Sequence, residues 1–423
     1  MYGNTGKAMN YYLIIQRGGV VLITNYKSFV PMVMGPGAAS RTGVEARALG
    51  ITKALFVYDK QLPSKCTDVI ENSLNSEGIE YVIFTDVLPD APDFIVEKGY
   101  EFAAAQGGID GIICLGGGSA MDTAKGINVL MANPGPISRY YSANNPNAGF
   151  YGAAKNPGLP LILIPSTAGT GSEQGKSAVI HDSTTGRKSP VLSTICCLAS
   201  LAIIDPEMTL SCPARLTAIT GLDAFTHAYE AYTGDDEQPV NDVSPLSDME
   251  AEYAMREIVE YLPKVLKDGG NIEWRYHMSL ASTVAMKSVA NAHSHLGHCF
   301  AHAIGSTTNV PHGVCCWVCE SHLAPWISDV HYKKNKWVAQ VLGSTVPEDA
   351  SADELSIILR KAMEDFGAAV GVPHLKDYGA TREQVMASID LMQDDYLFYS
   401  GKKRISVDQA KEILKQICDS ENL

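Results

Sequence analysis

Residues 111–130 read GIICLGGGSAMDTAKGINVL: an apolar strand-like run, three consecutive glycines, then apolar residues at helical spacing. Glycines 116, 117 and 118 let the backbone pass close to a phosphate, and Ser119 stands where a hydroxyl can cap the following helix. The free N–H groups and the positive end of such a helix favour an anion. The spacing is not GxGxxG, so taken alone the run is as well read as a simple strand-to-helix turn. Its surroundings carry more weight. ALFVYD (54–59), YVIFTD (81–86) and PLILIP (160–165) are short, β-rich runs bounded by Gly, Pro or charge. Between them, PSKCTDVIENSLNSEG and PDFIVEKGYEFAAAQG carry apolar residues at helical spacing. Strands alternating with helices of this length predict βαβ units and a parallel sheet. Ahead of them, VVLITNYKSFVPMVMGPGA (20–38) reads as an N-terminal hairpin.

From about residue 208 the pattern changes. LTAITGLDAFTHAYEAYTG, SDMEAEYAMREIVEYLPKVLKDGG, RYHMSLASTVAMKSVANAHSHLGHCFAHAIG and SVDQAKEILKQICDS are Ala-rich and helical in period, with no later strand of comparable strength. At 423 residues the chain exceeds what one core usually organises. We expect an α/β nucleotide-binding domain over 1–207 and an all-α domain over 208–423. The composition, 46% hydrophobic and 19% charged, is that of a globular protein, and a net charge of −14 argues against a nucleic-acid surface. No run reaches the roughly 18 apolar residues of a membrane span, and YYLIIQRGGVVLI is broken by Arg17 and two glycines. Ten scattered cysteines fit reduced thiols, and the expected location is cytoplasmic.

Asp59 ends the run ALFVYD. A carboxylate there can accept hydrogen bonds from a ribose diol and repel a 2′-phosphate, which would favour NAD over NADP. It can equally be a solvated residue opening the DKQLPS turn. PSTAGTGSE (165–173) follows another strand and offers the hydroxyls of Thr167, Thr170 and Ser172 on a tight loop suited to a nicotinamide or phosphate, or serves as a plain Ser/Thr turn.

Asp223 and His227 stand at i and i+4 in LDAFTHAYEAY, so both project from one helix face. His298 and His302 repeat the spacing in HCFAH, and His312 follows Pro311, where the chain can fold back. Of eleven histidines, five (293, 295, 298, 302 and 312) crowd into twenty residues of an otherwise apolar region. One carboxylate and two or three imidazoles on neighbouring helices make a site for a divalent first-row metal. HCFAH lacks the glutamate of HExxH, and Cys316 and Cys319 form a lone CxxC, better read as packed thiols than as a structural zinc site.

The ordered set MGPGA (34–38), ALFVYDK, GGGSAMDTAKG, PSTAGTGSE, AIIDPEMTLSCP (202–213), GLDAFTHAYEAY and HCFAHAIG through VPHGV resembles the iron-containing (group III) alcohol dehydrogenase family. The resemblance implies a dinucleotide-binding α/β domain, a helical metal domain and an active site between them. It implies Asp223, His227, His298 and His312 as metal ligands, with His302 near the nicotinamide and not a ligand. Gly117, Gly118, Ser119, Asp122, Thr167 and Thr170 fall on positions that contact the dinucleotide, and Asp59 on the residue associated with NAD preference. Fe2+ or Zn2+ would suit the nitrogen and oxygen donors. The implied activity is oxidation of a short primary alcohol, or reduction of its aldehyde, in a homodimer or larger assembly.

The chain departs from the family where Gln174, Gly175 and Lys176 follow TGSE, in NAHSHLG before His298, and in GKKRIS (401–406). Lys176, His293, His295 and Arg404 would give a substrate site unusual polarity, suited to an aldehyde carrying a carboxylate or sulfonate. Solvated surface charge is the plainer reading of the same residues. Two rivals remain: a metal- and NAD-dependent lyase resembling dehydroquinate synthase, whose Glu/His/His set is not the one here, and a non-catalytic nucleotide-binding relative.

Overall fold

The computed structural model describes residues 26–27, 30–145, 152–235 and 243–423. Five helices and strands of the α/β half follow the expected alternation: β2 (Lys53–Tyr58), α2 (Ser64–Ser76), β3 (Glu80–Phe84), α3 (Asp93–Gln106) and β4 (Gly111–Gly116). Before them come β1 (Met32–Met34) and α1 (Thr42–Ala48); after them come α4 (Gly118–Ala132), β5 (Leu161–Pro165), β6 (Ser177–His181), β7 (Lys188–Leu192) and β8 (Leu201–Ile204). Six strands form one parallel sheet in the order β1-β8-β5-β4-β2-β3.

The central strands are apolar throughout because both faces are covered. Leu55, Val57, Ile112, Cys114, Leu161 and Leu163 pack with Met121, Ala124 and Ile127 of α4, while Ala54, Phe56, Ile113, Leu115 and Ile162 pack with Ile70 and Leu74 of α2. β3 lies on one side of β2 and β4 on the other, so the strand order reverses between β2 and β4. A parallel sheet opens a crevice for ligand at the carboxyl ends of such strands. Asp59 and the glycine turn stand at those two ends.

The expected N-terminal hairpin does not form in the described residues. Met32–Met34 instead runs parallel to β8, with Met32 opposite Ala202 and Met34 opposite Ile204. The rest of that segment, residues 20–25 and 28–29, lies outside the described residues, as does YYLIIQRGGVVLI. The hairpin is found elsewhere: β6 and β7 pair antiparallel as a separate two-stranded sheet, packing Ala178, Ile180 and Val191 against Val129 and Leu130 of α4.

Beyond Ile204 no strand occurs among the described residues. The helical half contains α5 (Ala214–Tyr232), α6 (Pro245–Lys267), α7 (Ile272–Ala292), α8 (Leu296–Thr308), α9 (His312–Trp326), α10 (Tyr332–Val341) and α11 (Ala352–Val370), with shorter helices and a last one at Val407–Ser420. α5 is buried on nearly every side from Thr217 onward, so it is the central helix of this half. Its Leu222, Phe225 and Tyr229 pack with Met255 and Ile258 of α6, Met278 of α7 and Trp317 of α9.

The sequence RYHMSL…HAIG, read as one helical stretch, is broken between α7 and α8. His293 takes φ 65°, ψ 161°, a conformation that costs a non-glycine residue about 1–3 kcal/mol. α8 then ends at Asn309 in the left-handed region, and Pro311 precedes the first residue of α9. Among the described residues no helix is long and apolar enough to cross a membrane, and all ten cysteines are free thiols.

Candidate functional site

The helix break at His293 aims α8 back at α5, and the turn at Asn309–Pro311 brings the first residue of α9 to the same place. Asp223 and His227 of α5, His298 of α8 and His312 of α9 thereby converge. His298 Nε2 lies 3.9 Å from Asp223 Oδ1, His312 Nε2 lies 3.7 Å from the same oxygen, and His227 Nδ1 lies 4.0 Å from Asp223 Oδ2. The His227 and His298 rings stack with centroids 4.5 Å apart. Asp223, His227 and His298 are buried, and Asp223 Oδ1, His227 Nδ1 and His298 Nε2 have no hydrogen-bond partner. One buried unpaired polar atom costs about 1–3 kcal/mol. Three side by side are a donor set satisfied by a cation, and carboxylate plus imidazole fits a divalent first-row metal.

Burial pushes the His227 imidazole down to about 4, against the pull of Asp223. Burial and the Lys188 charge push His312 well below its usual value. Both are therefore neutral at pH 7, the ligating form. Burial opposes the charged form of His298 as well, but Glu230 overrules it and raises the imidazole.

Glu230, two turns along α5 from Asp223, was not singled out from the sequence. One oxygen receives a short hydrogen bond from His298 Nδ1–H, and the other accepts the His298 backbone N–H at 3.0 Å. This fixes the tautomer that leaves Nε2 facing Asp223. Burial alone would raise Glu230; the charges of His298 and His295 hold it below the carboxylate range. Behind it, Glu320 is buried, and burial with the Glu230 charge keeps it well above that range, as a neutral acid. Gly297 makes the room: a Cβ there would stand 1.9 Å from Glu320 Oε2.

His302 lies one turn beyond His298, partly exposed, with its ring 5.4 Å from and nearly parallel to that of His312. Its Nδ1 is 3.0 Å from Asp395 Oδ2, a partner 93 residues away that no local pattern announces. Burial pushes Asp395 up, yet the His302 hydrogen bond and charge bring it below its usual value. Cys316, read from the sequence as a packed thiol, is buried but faces the site. Its Sγ is 3.4 Å from His312 Nε2, and one donor atom each of Asp223, His298, His312 and Cys316 all lie within 4.8 Å of one another. Its position four residues after His312, on the same helix face, was the available signal.

The glycine turn and the PSTAGTGSE loop meet. A Cβ at Gly117 would stand 3.3 Å from Thr167 Oγ1, and one at Gly118 would stand 2.8 Å from Thr170 Cγ2. No side chain caps α4, so its first N–H groups remain available to an anion. Ser119 does not cap the helix as expected. Helix α4 already begins at Gly118, and the Ser119 hydroxyl accepts the Asp90 backbone N–H at 3.0 Å. Asp122 accepts from Ser172 Oγ at 2.8 Å and from Val179 N at 3.0 Å, bracing the threonine loop from below. Burial pushes Asp122 up and Lys125 down, and their attraction across 4.0 Å opposes both shifts. Asp59 accepts the Gln61 N–H at 2.9 Å, closing the turn after β2.

The same loop joins the two halves. Glu173 Oε1 accepts from Thr283 Oγ1 of α7 at 2.7 Å, and a Cβ at Gly169 would stand 2.4 Å from Thr220 Cβ of α5. Thr220 is one helical turn from Asp223, so the threonine loop reaches the donor cluster by way of α5. The four residues considered for a substrate anion are differently placed. Lys176 Nζ donates to Ala290 O at 3.0 Å, and His295 Nε2 lies 3.0 Å from Thr233 Oγ1, both buried. His293 makes the break between α7 and α8, and half-exposed Arg404 lies 3.7 Å from Asp235.

Residues 31–206 match the family model for iron-containing alcohol dehydrogenases, and residues 217–418 match its C-terminal counterpart. The chain is 31% identical to the NAD-dependent methanol dehydrogenase of Bacillus methanolicus, covering 93% of this chain and 99% of that one. It is 31% identical to the sulfoacetaldehyde reductase of Bilophila wadsworthia (strain 3_1_6), covering 85% and 89%. The crystal structure of a 1,3-propanediol oxidoreductase superposes with a TM-score of 0.84 at 30% identity, over 94% of this chain and all of that one.

Proposed function

The chain belongs to the iron-containing alcohol dehydrogenase family and is an NAD-dependent oxidoreductase of that class, and from this premise we propose that it interconverts a short primary alcohol and its aldehyde at a metal held by Asp223, His227, His298 and His312. The observation that supports this reading is the set of three buried, unpartnered donor atoms, one helical turn from the loop that touches the glycine turn. Bound between these elements, a divalent cation supplies Lewis acidity toward an alcohol or carbonyl oxygen, and NAD(H) supplies the hydride acceptor or donor.

The remaining tasks fall to side chains and backbone. The uncapped start of α4, with Gly117 and Gly118, binds the pyrophosphate, and Thr167 and Thr170 border the nicotinamide. Asp59, at the end of β2, receives the ribose diol and disfavours NADP(H). His302 takes or returns the alcohol proton at Nε2, since Asp395 holds Nδ1 and orients the ring. Asp122, on the helix that follows the glycine turn, positions the threonine loop by accepting from Ser172 Oγ and the Val179 N–H. The family-model matches meet between 206 and 217, in keeping with domains of 1–207 and 208–423. A cytoplasmic homodimer or larger homo-oligomer completes the reading, with either Fe2+ or Zn2+ at the centre.

A semialdehyde carrying a carboxylate or sulfonate is the second reading of the substrate. The likeness to a sulfoacetaldehyde reductase favours it, while the engagement of Lys176 and His295 in buried contacts weighs against it. Aldehyde-dependent NADH oxidation tests both. Turnover with butanal equal to or faster than with succinic semialdehyde or sulfoacetaldehyde rejects the anionic substrate. No turnover with any aldehyde rejects the dehydrogenase mechanism and revives an internal redox cycle.

A further inference from the structure

We propose that Lys125 is a positioning residue for the dinucleotide, its buried ammonium holding the threonine loop against the helix that starts at the glycine turn. The inference rests on the dinucleotide site proposed above and deepens it. Lys125 lies two turns along α4 from Gly118 and is fully buried. Its Nζ donates to Ser172 O at 2.6 Å, Ser172 Oγ at 2.8 Å, Ser177 O at 2.9 Å and Gly175 O at 3.1 Å. An ammonium has three hydrogens and no lone pair, so four acceptors from residues 172–177 take up all of them. Among the described residues its one ion pair is with Asp122, at 4.0 Å.

The contacts continue to the cofactor elements. Ser172 Oγ, accepting from Lys125, donates to Asp122 at 2.8 Å, and Ser172 N donates to Thr170 Oγ1 at 3.3 Å. Thr170 in turn borders Gly118, where a Cβ would stand 2.8 Å from its Cγ2. Lys125, Ser172, Thr170 and Gly118 thus form one closed run, from the middle of α4 back to its first residue. Replacing a buried charge with a packed apolar side chain is often neutral or stabilising, so stability alone is no reason for a lysine here. What methylenes cannot supply is three directed hydrogens that set where the loop stops relative to Gly117 and Gly118.

Fluorescence titration of the full-length, metal-loaded protein with NADH, read beside metal content and steady-state kinetics, tests this. Lys125→Met keeps the length of the side chain and removes its donors. It is expected to raise Kd and KM for NADH about tenfold or more, with a smaller change in kcat and metal content unchanged. Wild-type affinity for NADH in the folded variant overturns the proposal. So does loss of metal along with NADH affinity, which would make Lys125 a support of the whole fold. Ser172→Ala removes one hydroxyl from the run and leaves the ammonium in place, and it decides the matter if Lys125→Met does not fold. Its Kd for NADH should rise about threefold, and an unchanged Kd overturns the proposal. A wild type that does not bind NADH overturns the dinucleotide site itself, and the inference with it.

Discussion

Glu230 gives one carboxylate oxygen to the His298 ring and the other to the His298 backbone, so the imidazole is oriented before any metal arrives. Replacing such a supporting partner usually weakens metal binding about 10- to 100-fold. Glu230→Gln, which keeps size but loses the charge, should do so in a competition titration with a chromophoric chelator; an unchanged affinity would show that α5 and α8 alone set the ring. His302 carries a different expectation. General acid–base groups contribute about 100- to 10,000-fold, so His302→Ala should lower kcat by an amount in that range and change its pH profile, with metal content intact. An unaltered kcat and profile would remove it from the proton path. Asp59→Ala should lower the preference for NADH over NADPH in kcat/KM by about tenfold, roughly 1.4 kcal/mol. If the ratio holds, the carboxylate serves only the Gln61 turn.

The 166–176 loop carries the coupling between the α/β sheet and the helices, and it tolerates no added side chain where it meets α5. Gly169→Ala would press a methyl to 2.4 Å from Thr220 Cβ and 2.8 Å from its carbonyl oxygen. Overpacking of this kind costs about 1–3 kcal/mol. The variant should show a lower denaturation midpoint together with a raised KM for NADH, because the threonines move with the loop; a fall in stability with KM unchanged would separate the two. Elements with strong local period were legible in the sequence: β2, β3, β4 and β5, the helices between them, and α5 with Asp223 and His227 one turn apart. Elements whose pairing is decided by distant partners were not. Met32–Met34 reads as half of a hairpin because its real partner, β8, lies some 170 residues on. The glycine turn was legible, but the role of Ser119 was not, since its hydroxyl answers to Asp90. The i, i+4 spacing and the histidine cluster pointed to one carboxylate and two or three imidazoles, and the family resemblance narrowed these to Asp223, His227, His298 and His312. Glu230 and Asp395 could not be read, because their partners, His298 and His302, are distant in sequence.

At the scale of the whole molecule, the proposed dinucleotide and metal sites are built on different halves of the chain, so the two ligands should be removable separately. Chelation should abolish aldehyde-dependent NADH oxidation while leaving NADH fluorescence enhancement on binding, and should lower Tm, since a ligand held by the native state stabilises it by mass action. Loss of both activities together would mean that the metal organises the fold and not the chemistry alone. Added Fe2+ or Zn2+ should restore turnover. One carboxylate and three imidazoles from α5, α8 and α9 are proposed to hold a cation that the reaction needs. Elemental analysis of anaerobically purified protein, paired with an aldehyde activity assay on the wild type and on His298→Ala, tests it most directly. About one iron or zinc per chain is expected in the wild type, with metal and turnover lost together in the variant. A metal-free His298→Ala protein with full activity would contradict it.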